Sequence, residues 1–105
     1  MENNRPKNLN PTLQNKIIAL TTALFPSADI YLYGSRARGT HRETSDIDIA
    51  LDAGKPLDPH DIYELKDVLL ALGQPYYVDI VDLHNITEEF KTIIMKDLVL
   101  WKKNH

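Results

Sequence analysis

The sequence predicts an α/β (α+β) domain: a small mixed β-sheet flanked by helices. Two observations carry this reading. Amphipathic stretches with clear start and stop signals alternate with short runs of branched and aromatic residues. These elements come in the order helix, strand, strand, helix, strand, helix, a pattern in which helices cover a sheet. A chain of 105 residues holds one domain with one modest core.

Residues 1–10 read as a flexible arm, and residues 11–101 as the single domain. Asn10-Pro11 is a helix start, with Asn as cap and Pro at the first helical position. Leu13, Ile17, Leu20 and Leu24 then mark one helical face, and Pro26 ends it. Ala28 to Tyr33 is apolar and rich in aromatic and branched residues, a buried strand. Gly34-Ser35 closes that run, and the following RARG forms one tight helical turn. Residues 40–45, THRETS, are a polar loop.

The second strand runs from Asp46 to Leu51 with strict alternation. Asp46, Asp48 and Ala50 share one face; Ile47, Ile49 and Leu51 share the other. Residues 52–58 form the next loop, and Asp58-Pro59 repeats the helix-start signal. Ile62, Leu65, Leu69 and Leu72 make that helix's apolar face, with Gly73 as C-terminal cap and Pro75 as stop. Tyr76 to Val81 is the third strand, with Tyr77, Asp79 and Val81 on one face. Asn85 and Glu88 resemble a capping box opening a final helix, Ile86 to about Trp101. Phe90, Ile93, Ile94, Leu98 and Trp101 give it a wide apolar stripe. The last residues, 102–105, read as a flexible, solvated tail.

Composition narrows the chemistry. The chain has no cysteine, so disulfides and thiolate metal sites are excluded and oxygen or nitrogen must supply any ligand. The formal net charge of −3 argues against a nonspecific nucleic-acid binder, which usually carries a basic footprint. The opening MENNRPKNLN is polar, with no apolar segment of a signal peptide. No apolar run approaches a membrane span. A cytoplasmic protein with no membrane role is expected.

Asp46 and Asp48, two apart on a strand, point the same way, about 6.6 Å apart along the chain. At about 5 Å and an effective dielectric near 20, their carboxylates would repel by roughly 3 kcal/mol. Such a pair suits Mg²⁺, which takes one or two carboxylates plus water and phosphate oxygens. Two strand-end aspartates facing water would look the same in sequence. Gly34 lets the backbone turn tightly against a ligand. Ser35 beside it offers a hydroxyl and N–H groups to a phosphate, or simply caps the turn. Arg36, Arg38 and Arg42 add positive charge that suits a triphosphate, or pair with Glu43, or stay solvated.

Asp79 lies inside an apolar run, where an unpaired carboxylate is costly to bury. If its strand neighbours the second one, three carboxylates meet, as a two-metal site requires. Asp82 points to the opposite face and belongs to the turn. Of His41, His60, His84 and His105, no pair has metal-ligand spacing on one element. Only His41 lies near the phosphate turn.

Gly34-Ser35, ten residues, Asp46-x-Asp48 and a later Asp79 resemble the nucleotidyltransferases of the DNA polymerase beta superfamily. With GSRARG…SDIDIALD in so short a chain, the closer likeness is to the minimal nucleotidyltransferase (MNT) family. Many of these act as antitoxins beside a HEPN-domain toxin. The resemblance covers about residues 12–100. It implies the nucleotidyltransferase fold. It implies Asp46 and Asp48 as ligands of both of two Mg²⁺ ions. It implies that Asp79 binds the catalytic metal and helps deprotonate the attacking hydroxyl. Gly34 and Ser35 would hold the β- and γ-phosphates of ATP, with Arg38 also at the nucleotide.

The expected reaction is transfer of AMP from ATP to a hydroxyl, a tyrosine by preference, of a HEPN ribonuclease toxin. Two alternatives remain open at this point. One is neutralisation by stoichiometric binding without catalysis. The other is nucleotidyl transfer to a small molecule such as an aminoglycoside. No direct nucleic-acid partner is expected.

Overall fold

In the computed structural model, residues 9–42, 44–72 and 77–104 are described. Helix α1 (Pro11–Leu24) opens as its sequence dictates. Asn10 Oδ1 accepts from the backbone N–H of Thr12 at 2.8 Å and of Leu13 at 3.3 Å. These bonds satisfy donors that a helix start leaves unpaired. Leu9 is already buried in the core, so the chain is anchored one residue before that cap. The rest of the expected arm, residues 1–8, lies outside the described residues.

Strand β1 (Asp29–Tyr33) leads directly into the short helix α2 (Gly34–Arg38). Strand β2 spans Ile47–Asp52 and helix α3 Pro59–Leu70. Asp58 Oδ1 caps α3 by accepting from His60 N–H at 2.9 Å. The helix ends with Ala71 as its cap residue; the expected Gly73 cap and Pro75 stop lie outside the described residues. Strand β3 runs Val78–Asp82, helix α4 Glu88–Met95 and strand β4 Val99–Lys102.

The sheet has four strands in the order β3-β2-β1-β4. β1 is antiparallel to both β2 and β4, and β2 is parallel to β3. The parallel pair is joined through α3, because parallel neighbours need a crossover. Alternation sorts the side chains cleanly. Ile30 and Leu32 of β1, Ile47, Ile49 and Leu51 of β2, and Ile80 of β3 face one side. There they form the main core with Ile17 of α1 and Leu65 and Leu69 of α3. The opposite side carries a smaller cluster, Tyr33, Ala50, Leu83 and Ile94. Asp82 faces the main core and satisfies two backbone donors, Leu57 N–H at 2.7 Å and His84 N–H at 2.9 Å. That is the turn role expected of it.

The C-terminal third departs from the sequence reading. The apolar stripe predicts a single helix from Ile86 to about Trp101; instead α4 stops at Met95 and β4 follows. Its cap is Thr87, whose Oγ1 accepts from Phe90 N–H at 3.1 Å. Asn85 instead closes the turn after β3, donating its N–H to the Asp82 carbonyl at 2.9 Å. The physical reason lies in β1. Without β4, β1 would be an open edge with unpaired backbone groups. Val99-Leu100-Trp101 has the branched and aromatic character of a strand. Val99 and Trp101 pack on the main core while Leu100 is exposed, a period of two that the helical stripe had concealed.

The expected tail is likewise tied down through Asn104. Its N–H donates to Asp29 Oδ1 at 2.8 Å and its amide to the Ala28 carbonyl at 2.9 Å. Lys103 Nζ adds an ion pair to Asp29 at 3.4 Å.

Candidate active site

The side of the sheet away from α1 and α3 carries the candidate site residues Asp48 and Asp79. Strand register places Tyr33 of β1 opposite Asp48 of β2, and Asp48 beside Asp79 of β3. The three therefore form a row across the sheet. Neighbouring strands are about 4.8 Å apart, closer than the spacing of Asp46 and Asp48 along one strand. Asp46 sits one residue before β2 and is exposed; Asp48 and Asp79 are half-buried.

The electrostatics follow from that row. The Asp48 carboxyl is pushed from 3.8 up to about 6. Partial burial is the largest cause, then the charges of Asp79 and Asp46; Arg38 and Arg36 oppose it. Burial, then the charges of Asp48 and Asp79, hold the Tyr33 hydroxyl well above its ordinary pKa. Tyr33 therefore remains a donor, and its Oη donates to Asp79 Oδ2 at 3.4 Å. Lys66 of α3 places Nζ 3.8 Å from Asp79 Oδ1.

Gly34 lies at φ +78°, where a side chain is disfavoured. A Cβ there would also collide with Asp48 Oδ2. The turn after β1 and the carboxylate of β2 are thus in direct apposition, and a Cβ at position 34 would force that carboxylate to shift. Ser35 follows in α2, half-buried, and its carbonyl accepts from Thr40 N–H at 3.0 Å. α2 ends at Gly39, whose left-handed conformation closes the turn.

The arginines separate by role. Arg36 is buried, and its Nε and Nη2 donate to the Ser45 carbonyl at 3.2 and 3.0 Å. It fixes the loop that delivers Asp46, a function that none of the three sequence alternatives contained. Arg38 is exposed and its Nη1 is bonded to Asp97 at 3.3 Å. Arg42 is exposed, its backbone N–H bonded to Ser45 Oγ at 2.8 Å. Glu43 lies outside the described residues.

Among the described residues, no three acidic or histidine side chains stand close enough to enclose an ion. The donors nonetheless fit a hard divalent cation in kind. Asp48 is flanked by two further carboxylates, and its pKa is raised first by partial burial and then by their negative charge. Sequence reasoning did not single out Tyr33 or Lys66. The alternation of β1 puts Tyr33 on the face opposite Ile30 and Leu32, a signal that was available. Nothing in the sequence tied Lys66 to Asp79.

No helix among the described residues is long and apolar enough to cross a membrane.

Comparison with known proteins shows the family. The chain matches the family "Polymerase beta, Nucleotidyltransferase" over residues 8–105. It is 37% identical over 90 residues to the protein adenylyltransferase MntA of Shewanella oneidensis, covering 84% of this chain. It spans 64% of that relative's length. Among solved structures it resembles a toxin–antitoxin complex with AMP-PNP, at TM-score 0.72 and 35% identity, covering 86% of this chain and 73% of that one. It also resembles a complex of tri-AMPylated Shewanella oneidensis HEPN toxin with MNT antitoxin, at TM-score 0.69 and 30% identity, covering 88% and 71%. The apposed glycine turn and carboxylate row thus have a family context: this chain belongs to the polymerase beta nucleotidyltransferase family.

Proposed function

We propose that this chain is a nucleotidyltransferase antitoxin that transfers AMP from ATP to a tyrosine hydroxyl of a HEPN toxin. The observation that carries this reading is the register pairing of Asp48 with Asp79, beside a left-handed glycine turn where a Cβ would push the Asp48 carboxylate aside. Support also comes from the similar proteins, one named a protein adenylyltransferase and one a complex holding an AMPylated HEPN toxin.

Each residue has a task in this reaction. Gly34 and Ser35 hold the β- and γ-phosphates, the glycine by close approach and the serine by hydrogen bonding. Arg38 leaves Asp97 for the nucleotide when ATP is present. Asp46, Asp48 and Asp79 would hold Mg²⁺, which supplies charge neutralisation at the phosphates and acidifies the attacking hydroxyl. Asp79 accepts the proton of that hydroxyl. The tyrosine oxygen then bonds to the α-phosphorus, the bond to the β-phosphate oxygen breaks, and pyrophosphate leaves.

The test mixes this chain with ATP, Mg²⁺ and its partner toxin, separates the proteins, and measures the toxin's intact mass and RNA cleavage. The expected result is an increase in mass by AMP groups, with inactivity that persists after separation. An unmodified toxin that regains activity would leave stoichiometric occlusion as the mechanism. Asp79→Asn should bind ATP and toxin yet transfer nothing.

A further inference from the structure

Asp79 is held from two sides by residues that belong to no recognised motif. Tyr33 reaches it from β1, two strands away, and donates to Oδ2 at 3.4 Å. Lys66 approaches Oδ1 to 3.8 Å from α3. β3 is an edge strand, and Asp79 faces away from the α3 side, so Lys66 reaches it around that edge. Both side chains are themselves held. The Tyr33 ring is buried and meets Phe90 edge-on at 6.4 Å. Lys66 Nζ lies 5.8 Å from the centre of the Tyr63 ring.

We infer that Tyr33 and Lys66 are positioning residues for Asp79 with opposite effects. Tyr33 fixes the orientation of the carboxylate. Lys66 occupies it as a cation when no metal is bound. A neutral phenol on Oδ2 leaves Oδ1 open to a metal, so its bond persists through the reaction. An ammonium on Oδ1 competes with that metal, because two cations repel strongly at such a separation. This inference rests on the role of Asp79 under the proposed function.

The test uses Tyr33→Phe and Lys66→Met beside the wild type and Asp79→Asn. Transfer to the toxin gives kcat and KM for ATP. Electron paramagnetic resonance of Mn²⁺, without nucleotide, gives metal affinity. Tyr33→Phe should lower kcat about three- to fivefold, the scale of one long hydrogen bond, with KM within about twofold. Lys66→Met should bind Mn²⁺ at least about threefold tighter, a modest gain because the pair is partly exposed. A merely structural role would weaken metal binding and lower the melting temperature in both variants. Wild-type kcat in Tyr33→Phe, or unchanged or weaker Mn²⁺ binding in Lys66→Met, would overturn the inference. Transfer by Asp79→Asn would instead show that the role given to Asp79 under the proposed function is wrong, and no transfer by the wild type would defeat the proposed function itself. With Asp79→Asn inactive, wild-type behaviour of the other two variants would defeat this inference alone.

Discussion

Asp48→Asn should make the metal-free protein more stable at neutral pH, although it removes a residue assigned to the site. The folded carboxyl titrates at about 6 against 3.8 ordinarily. The folded state therefore keeps its proton to higher pH than the unfolded chain does. Stability falls as pH rises from about 4 to about 6 and stays reduced above that. Taken whole, the shift corresponds to about 3 kcal/mol. Asp48 is only half-buried, so solvent screening reduces this to about 1–2 kcal/mol. Asparagine keeps the shape and never ionises. In EDTA at pH 7.5, its melting temperature should exceed the wild type's by about 5–10 °C. At pH 5.0 the gain should be about half as large, since the wild-type carboxyl is then mostly protonated. Circular dichroism melts at the two pH values measure both. Adding Mg²⁺ should raise the wild-type melting temperature and leave the variant nearly unmoved. A variant less stable than the wild type at pH 7.5, or a gain independent of pH, would refute this account of the charge cluster.

Gly34→Ala should lose at least about 1–2 kcal/mol of stability from the left-handed backbone alone, and its methyl also displaces Asp48 Oδ2; thermal melts and loss of AMP transfer read both effects. Arg36→Met removes both donors to the Ser45 carbonyl, so it should cost about 2–3 kcal/mol in denaturant unfolding. Ser35→Ala should raise the apparent KM for ATP several-fold and alter kcat less, because one phosphate contact is lost. EDTA should abolish transfer by the wild type, with recovery on Mg²⁺ or Mn²⁺; full activity in chelator would end the assignment of a metal to the carboxylates.

Much of the site was legible because its signals are local. A glycine closing a buried strand, and two aspartates two residues apart on another, need only alternation to be read. What alternation could not supply was adjacency. Asp79 joins Asp48 only because β3 lies parallel and in register beside β2. The arginines show the same limit. Arg36 and Arg38 look alike in sequence, yet one is buried on a carbonyl and the other pairs with Asp97. Tyr33 and Lys66 act at a distance of many residues from Asp79, and no spacing rule connects them.

The sequence by itself determined the order of elements through Leu83, the capped starts of α1 and α3, and which residues share a face on β2 and β3. These follow from the local backbone and from the periods of helix and strand. Tertiary structure decided the fate of the last third. Ile94, Leu98 and Trp101 fit a helical stripe, but Val99-Leu100-Trp101 fits a strand equally well. Such a tie between periods is broken by what the segment can pair with. Here the open edge of β1 offered backbone partners along Ile30–Leu32, and unpaired N–H and C=O groups on a sheet edge favour a strand over two more turns of helix.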